Sequence, residues 1–138
     1  MVTFADEGCN CLPQNQLNTT TVLCSRDIAV ADELISEDYV QHNNLSIPPR
    51  REGFKKYFRQ YFKTFSKTGT TIERVCGEGE YVFLYANHWA ANKLFRVDYK
   101  VIDLYRVKDG ILIEHWDVIE GIGFFSKFIY IVKSVLRL

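Results

Sequence analysis

The sequence predicts an α+β domain in which helices cover one face of a curved antiparallel sheet. Three observations predict it. Residues 101–118 alternate apolar and polar on both sides of a Lys108-Asp109-Gly110 turn, which is the pattern of a β-hairpin. Phe54, Tyr57, Phe58, Tyr61, Phe62 and Phe65 recur at intervals of three and four, the period of an amphipathic helix. In chain order, helical patterns come first, then four strands of antiparallel type, then a last helical pattern.

The 138 residues suit one domain with a real core, and 47% of them are hydrophobic. Ten Phe and eight Tyr make the composition aromatic-rich and globular, not disordered. The formal net charge is zero, so no global field attracts nucleic acid. Cys9, Cys11, Cys24 and Cys76 lack any CxxC spacing and there are three histidines, so no metal is expected. Asp6 and Glu7 precede any apolar run, so no secretory signal is visible, and a reducing cytoplasm with free thiols is the expectation.

Residues 1–17 read as a loose leader around Cys9, Cys11 and Pro13. In 18–25 the Thr19-Thr20-Thr21 run disfavours a helix, while Val22 and Leu23 could anchor a short one, and its state is open. Asp27 is placed to cap a helix over 28–36 whose stripe is Ile28, Ala31, Leu34 and Ile35. Residues 37–43 leave it as an extended or turning segment, which Pro48-Pro49 ends. The aromatic helix 54–65 carries Lys55, Lys56, Arg59, Gln60 and Lys63 opposite its stripe, a solvated face and not a nucleic-acid surface. Strands are expected over 70–76, 81–91, 95–107 and 111–119. Residues 124–138 form an amphipathic cationic pattern too short and too charged to span a bilayer. We expect this C-terminal helix to pack on the domain 18–123 or on a partner subunit in preference to a membrane surface.

Gly110 as the third residue of a three-residue loop suits a type I turn closed by a glycine bulge. That register sets Asp103 opposite His115 and Val101 opposite Asp117, with Tyr105 and Ile113 on the same face. A two-residue Asp-Gly turn would slip the register by one and separate Asp103 from His115. Two carboxylates and an imidazole on one sheet face call for pairing, because burying them unpaired costs energy.

Asp38-Tyr39-Val40-Gln41-His42-Asn43, Arg51-Glu52-Gly53-Phe54, Glu78-Gly79-Glu80-Tyr81-Val82-Phe83, Asp103-Leu104-Tyr105-Arg106 with Asp109-Gly110, and Glu114-His115-Trp116-Asp117 together resemble SnoaL-like polyketide cyclase proteins of the nuclear transport factor 2-like superfamily. The resemblance runs from about residue 27 to 119 and implies a cone-shaped α+β barrel with helices on the concave face of its sheet, around an apolar pocket. It also implies a homodimer through the outer sheet face, a small apolar ligand, and side-chain acid–base chemistry without metal or organic cofactor. Two regions depart from the family pattern, the Pro- and Thr-containing start and the amphipathic end.

Asp117 best matches the family's acid–base aspartate, and the plainer alternative is a rim carboxylate held by backbone N–H groups. Asp103 and His115 could move a proton near neutral pH, or could be a structural ion pair that holds the hairpin. His42 could donate to a substrate carbonyl or simply cap a turn beside Asn43. Tyr39 and Tyr85 could donate to an oxyanion. His88 faces the pocket if Val82, Leu84 and Ala86 do, and faces out if Tyr85, Asn87 and Trp89 do. Phe58 and Phe62 are expected to supply apolar pocket wall. The first reading is therefore a cyclase, isomerase or dehydratase with Asp117 or Asp103–His115 as base, the alternative a non-catalytic ligand-binding or dimerisation module.

Overall fold

The computed structural model describes residues 9–10, 18–42 and 47–120. The aromatic stripe forms helix α3 (Arg50–Thr64), with Phe54 and Phe58 buried and their ring centroids 4.5 Å apart. Gly53 in its first turn is required by contact, because a Cβ there would lie 2.1 Å from the carbonyl oxygen of Pro48. Four long strands follow: β3 (Lys67–Glu78), β4 (Tyr81–Ala91), β5 (Arg96–Lys108) and β6 (Ile111–Glu120). They pair antiparallel in sequence order. Together with the helices this is the α+β architecture that the chain order predicts.

Two further strands extend the sheet in parallel. β1 (Cys9–Asn10) pairs with β3, and β2 (Ile35–Gln41) pairs with β6, giving the order β1-β3-β4-β5-β6-β2. The expected leader 1–17 otherwise lies outside the described residues, and so does the C-terminal helix 124–138.

The open stretch at 18–25 is helix α1 (Asn18–Ser25), where the fully buried Val22 outweighs the poor propensity of the threonines. Arg26 ends it at φ 55°. The Arg26 guanidinium donates to Thr68 Oγ1 at 3.0 Å, Phe65 O at 2.9 Å and Phe62 O at 3.2 Å, and lies 4.5 Å over the Phe62 ring. The helix expected over 28–36 is shorter, α2 (Val30–Leu34). Asp27 Oδ1 accepts from Ala29 N at 2.9 Å, but Ile35 is already extended and buried, paired with Leu112. Strand pairing takes the last turn from the helix.

The hairpin corrects the expected register. Asp109 (φ 51°) and Gly110 (φ 78°) form a two-residue turn with both residues left-handed, which matches the strand twist. Lys108 pairs with Ile111 and Val107 with Leu112, but Arg106 pairs with Glu114, so Ile113 is an extra residue, a bulge. Leu112, fully buried, therefore takes the inward place expected for Ile113. The short turn shifts the register by one and the bulge shifts it again, so parity beyond the bulge is restored. Val101, Asp103, Tyr105, His115 and Asp117 do share the inner face, with Asp103 opposite Asp117 and Tyr105 opposite His115.

The inner face packs on α3 and α1 through Leu84, Ala86, Tyr105 and Leu112. The outer face leaves Phe83, Ile102 and Val118 exposed, Val118 at 64%. Among the described residues, no helix is long and apolar enough to cross a membrane.

Candidate functional site

Beyond the bulge, β5 and β6 present polar side chains to the same interior that α3 lines with aromatics. A cavity of about 70 Å³ lies between them, and Phe54, Tyr57, Phe58, Tyr61, His88, Tyr99, Asp103, His115 and Asp117 contribute to its wall. Asp103 and Asp117 sit directly opposite each other, an arrangement that repels unless something lies between the charges. His115 supplies it on one side. Its Nε2 lies 2.8 Å from Asp103 Oδ1, reaching diagonally rather than straight across as the expected register had it. Both residues are only 4% exposed.

The second bridge is Gln41, brought alongside by the parallel pairing of β2 with β6. Its Nε2 donates to Asp117 Oδ2 at 3.1 Å and its Oε1 lies 2.8 Å from His115 Nδ1. An amide whose nitrogen is committed to a carboxylate must present its oxygen to the imidazole, so Nδ1 carries a proton and donates it. Nε2 faces the Asp103 carboxylate, and the Tyr105 ring stacks on the imidazole at 4.5 Å. Tyr39 donates its hydroxyl to Gln41 Oε1, and its oxygen is 3.2 Å from His115 Nδ1. Burial and the charges of Asp117 and Asp103 hold the Tyr39 phenol far above its ordinary ionisation range, so it stays a neutral donor.

The ligand atoms of Asp103, His115 and Asp117 lie within 4.8 Å of one another, a grouping that could converge on a cation. Both imidazole nitrogens are already engaged by protein groups, and a metal would have to displace Asp103 from Nε2.

The phase of β4 is settled by burial at Leu84, Ala86, His88 and Ala90. His88 therefore faces inward, where its Nδ1 is 2.8 Å from Thr70 Oγ1 and its ring stacks on Tyr99 at 5.3 Å. Burial lowers its pKa, against a smaller opposite pull from Asp103, so the neutral form is favoured. Tyr85 belongs to the outward set and is corrected as a pocket residue, since β4 alternation points it away from the cavity. His42 is corrected as well. It follows Gln41 on the opposite side of β2, stacked on Trp116 at 4.2 Å, with Nε2 2.8 Å from Glu114 Oε2. Phe58 lines the cavity, whereas Phe62 lies under Arg26 and is not part of its wall.

Sequence reasoning missed Gln41, Tyr57, Tyr61 and Tyr99. The signal for Gln41 was present, because an extended Tyr39-Val40-Gln41 puts the first and third side chains on one face. On α3, burial pushes the Tyr57 phenol up to about 12, helped by Tyr61 and Asp117, and burial raises Tyr61 as well. Tyr61 and Tyr99 share a hydrogen bond of 2.9 Å.

The family model described as SnoaL-like domain matches residues 19–115. No curated protein matches the chain. Solved structures of the same fold include wild-type IdmH from Streptomyces antibioticus, a candidate polyketide cyclase, at 19% identity and TM-score 0.66 over 80% of this chain and 93% of that one. AclR from Streptomyces galilaeus, a candidate hydroxylase, is similar at 19% identity and TM-score 0.64, over 80% of this chain and 79% of that one. An LEH-like epoxide hydrolase from M. tuberculosis is similar at 17% identity and TM-score 0.63, over 88% and 92%.

Proposed function

The chain belongs to the SnoaL-like domain family, and from that premise we propose that it is a cofactor-independent enzyme of the cyclase, isomerase or dehydratase type acting on a small carbonyl compound. Proteins of this fold are named for cyclase, hydroxylase and epoxide hydrolase chemistry, so the side chains and not the fold must choose. The observation that carries the reading is the continuous chain Asp117–Gln41–His115–Asp103 on one wall of an aromatic-lined cavity.

In this reading Asp117 accepts a proton from the carbon next to the carbonyl. The C–H bond breaks, an O–H bond forms on the carboxyl, and the electron pair moves to the carbonyl oxygen as an enolate. Gln41 orients the acceptor, and Asp103 holds His115 in place at the far end of the same hydrogen-bonded run. The enolate then attacks a second carbonyl, expels a β-hydroxyl or takes its proton back elsewhere. His42 lies outside the cavity and cannot hold the enolate oxygen, a role that falls to a tyrosine. A liquid water molecule occupies roughly 30 Å³, so a cavity of about 70 Å³ admits a compact carbonyl or the reacting corner of a larger one.

Deuterium exchange into cyclic ketones and 3-hydroxy-carbonyl compounds tests the base. Asp117→Asn keeps the shape and should slow exchange by roughly 10³-fold while ligand affinity stays. Undiminished exchange would move the base role to Asp103–His115. No exchange by the unaltered protein favours the ligand-binding module instead. The exposed Phe83, Ile102 and Val118 support a homodimer through the outer sheet face, and a monomer in sedimentation velocity at micromolar concentration would sink it.

A further inference from the structure

The strand ladders give the cavity two polar ends. Asp103 pairs with Asp117 on one side and Leu84 on the other. Two residues along β5, Val101 pairs with Ile119 and Ala86, an apolar step. Two residues further, Tyr99 pairs with His88, which pairs with Thr70. His88, Tyr99, Val101, Ile119, Asp103 and Asp117 all contribute to the cavity wall. Four residues of extended strand separate Tyr99 from Asp103, about 13 Å at the backbone. The side chains lean closer than that, because the Asp103 charge still acts on His88.

At the end away from Asp117 the Tyr61 and Tyr99 hydroxyls are spent on each other, 2.9 Å apart. His88, 6% exposed, is held by Thr70 Oγ1 at 2.8 Å from Nδ1 and by the Tyr99 ring. Its Nε2 makes no hydrogen bond with a described residue, and it is not sealed in the interior either: among the described residues the sealed unbonded side-chain atom is Arg51 Nε. The second imidazole nitrogen thus opens on the cavity that His88 lines. The Thr70 hydroxyl can donate to Nδ1 or accept from it, so Nε2 is an acceptor in one tautomer and a donor in the other. A hydroxyl group answers either, whereas a carbonyl oxygen answers only the donor. A carboxylate would bring a third negative charge into an interior that already holds Asp103 and Asp117, beside an imidazole that burial keeps neutral. We propose that His88 is a specificity residue that takes a hydroxyl group of the substrate, which makes the substrate a hydroxyketone whose hydroxyl and enolisable carbonyl are set apart by apolar carbons. This rests on the carbonyl reading given above.

Calorimetric titration of the full chain with cyclohexanone and with 4-hydroxycyclohexanone tests the hydroxyl apart from the carbonyl. The unaltered protein should prefer the hydroxyketone roughly fivefold, the worth of one net hydrogen bond. His88→Asn keeps a polar atom within reach of Thr70 and removes the one that opens on the cavity, so the preference should vanish while cyclohexanone binds as before. The nitrogen-15 spectrum of the unaltered protein makes the test independent of any variant. The His88 Nε2 resonance should move with 4-hydroxycyclohexanone and stay in place with cyclohexanone. An unmoved resonance, or a preference that survives His88→Asn, overturns the assignment while leaving a carbonyl site intact. Failure of the unaltered protein to bind either ketone at millimolar concentration overturns the carbonyl reading, and the His88 role falls with it.

Discussion

Two imidazole–carboxylate contacts of equal length lie on opposite faces of one hairpin. His115–Asp103 and His42–Glu114 are both 2.8 Å, but the side chains of the first pair are 6% exposed and those of the second 35% and 25%. The inner pair is held by Gln41, Tyr39 and Tyr105 and faces a cavity. The outer pair is held by Arg106, which bridges Glu114 at 2.8 Å and Glu80 at 2.9 Å, with the His42 ring on Trp116. Distance alone does not separate a site from a surface network. Desolvation does, because taking the charges out of water raises both the cost of the groups and the strength of their attraction.

The largest break in this comparison comes from exchanging the two faces. In the double variant His115→Trp, Trp116→His the indole turns inward against Asp103 and the imidazole turns outward, which leaves a buried carboxylate unpaired and overfills the interior. The loss should exceed a typical domain stability of about 5 kcal/mol, and a cooperative melting transition in circular dichroism should disappear. Next in size is Asp103→Asn, which leaves His115 without its counter-charge in the interior. Removing one partner of a buried pair costs about 3–5 kcal/mol, read from the urea midpoint. A cost below about 1 kcal/mol would make the buried pair no different from the exposed one.

The smallest effect belongs to Glu114→Gln on the outer face, under about 1 kcal/mol at neutral pH. Hydrogen bonds from His42 first, then Arg106, hold the Glu114 carboxyl below its ordinary value of 4.5. The folded state therefore favours the ionised form, and the contribution is present above that value and lost as the pH falls through the lowered folded one. The variant should lack that acid-side component in melting temperatures measured from pH 3 to 7. His88 has the same acid-side sign in a different window. Burial keeps it neutral, so it weakens the fold as the pH falls below its ordinary 6.5.

The comparison also marks what could be read beforehand. Helix α3 was legible because its period runs over many residues and burial follows the period, whereas strand β4 was legible in its bounds but not in its phase, since both of its faces carry apolar residues. The inner-face set Asp103, His115 and Asp117 was legible too, although the register was not. Asp109-Gly110 supports either turn, and the bulge at Ile113 depends on Leu112 filling the core, which no local pattern states. Gln41 stayed hidden because its value depends on β2 joining β6, a pairing between distant segments. Tyr57 stayed hidden for the opposite reason: in sequence it is one aromatic in a stripe, and only the fold turns it toward the cavity.

The parallel docking of β2 on β6 also ties chemistry to the order in which the chain folds. Gln41 and His115 are 74 residues apart, whereas Asp103 and His115 are 12 apart within one hairpin. Closing the longer loop carries the larger entropic penalty, so the hairpin can form early while the β2 edge zips up late. A chain arrested before that step would carry the ion pair but leave Asp117 without its amide. The finished site thus reports completion of the sheet: the hydrogen-bonded run from Asp117 through Gln41 and His115 to Asp103 closes only when both ends of the domain have met.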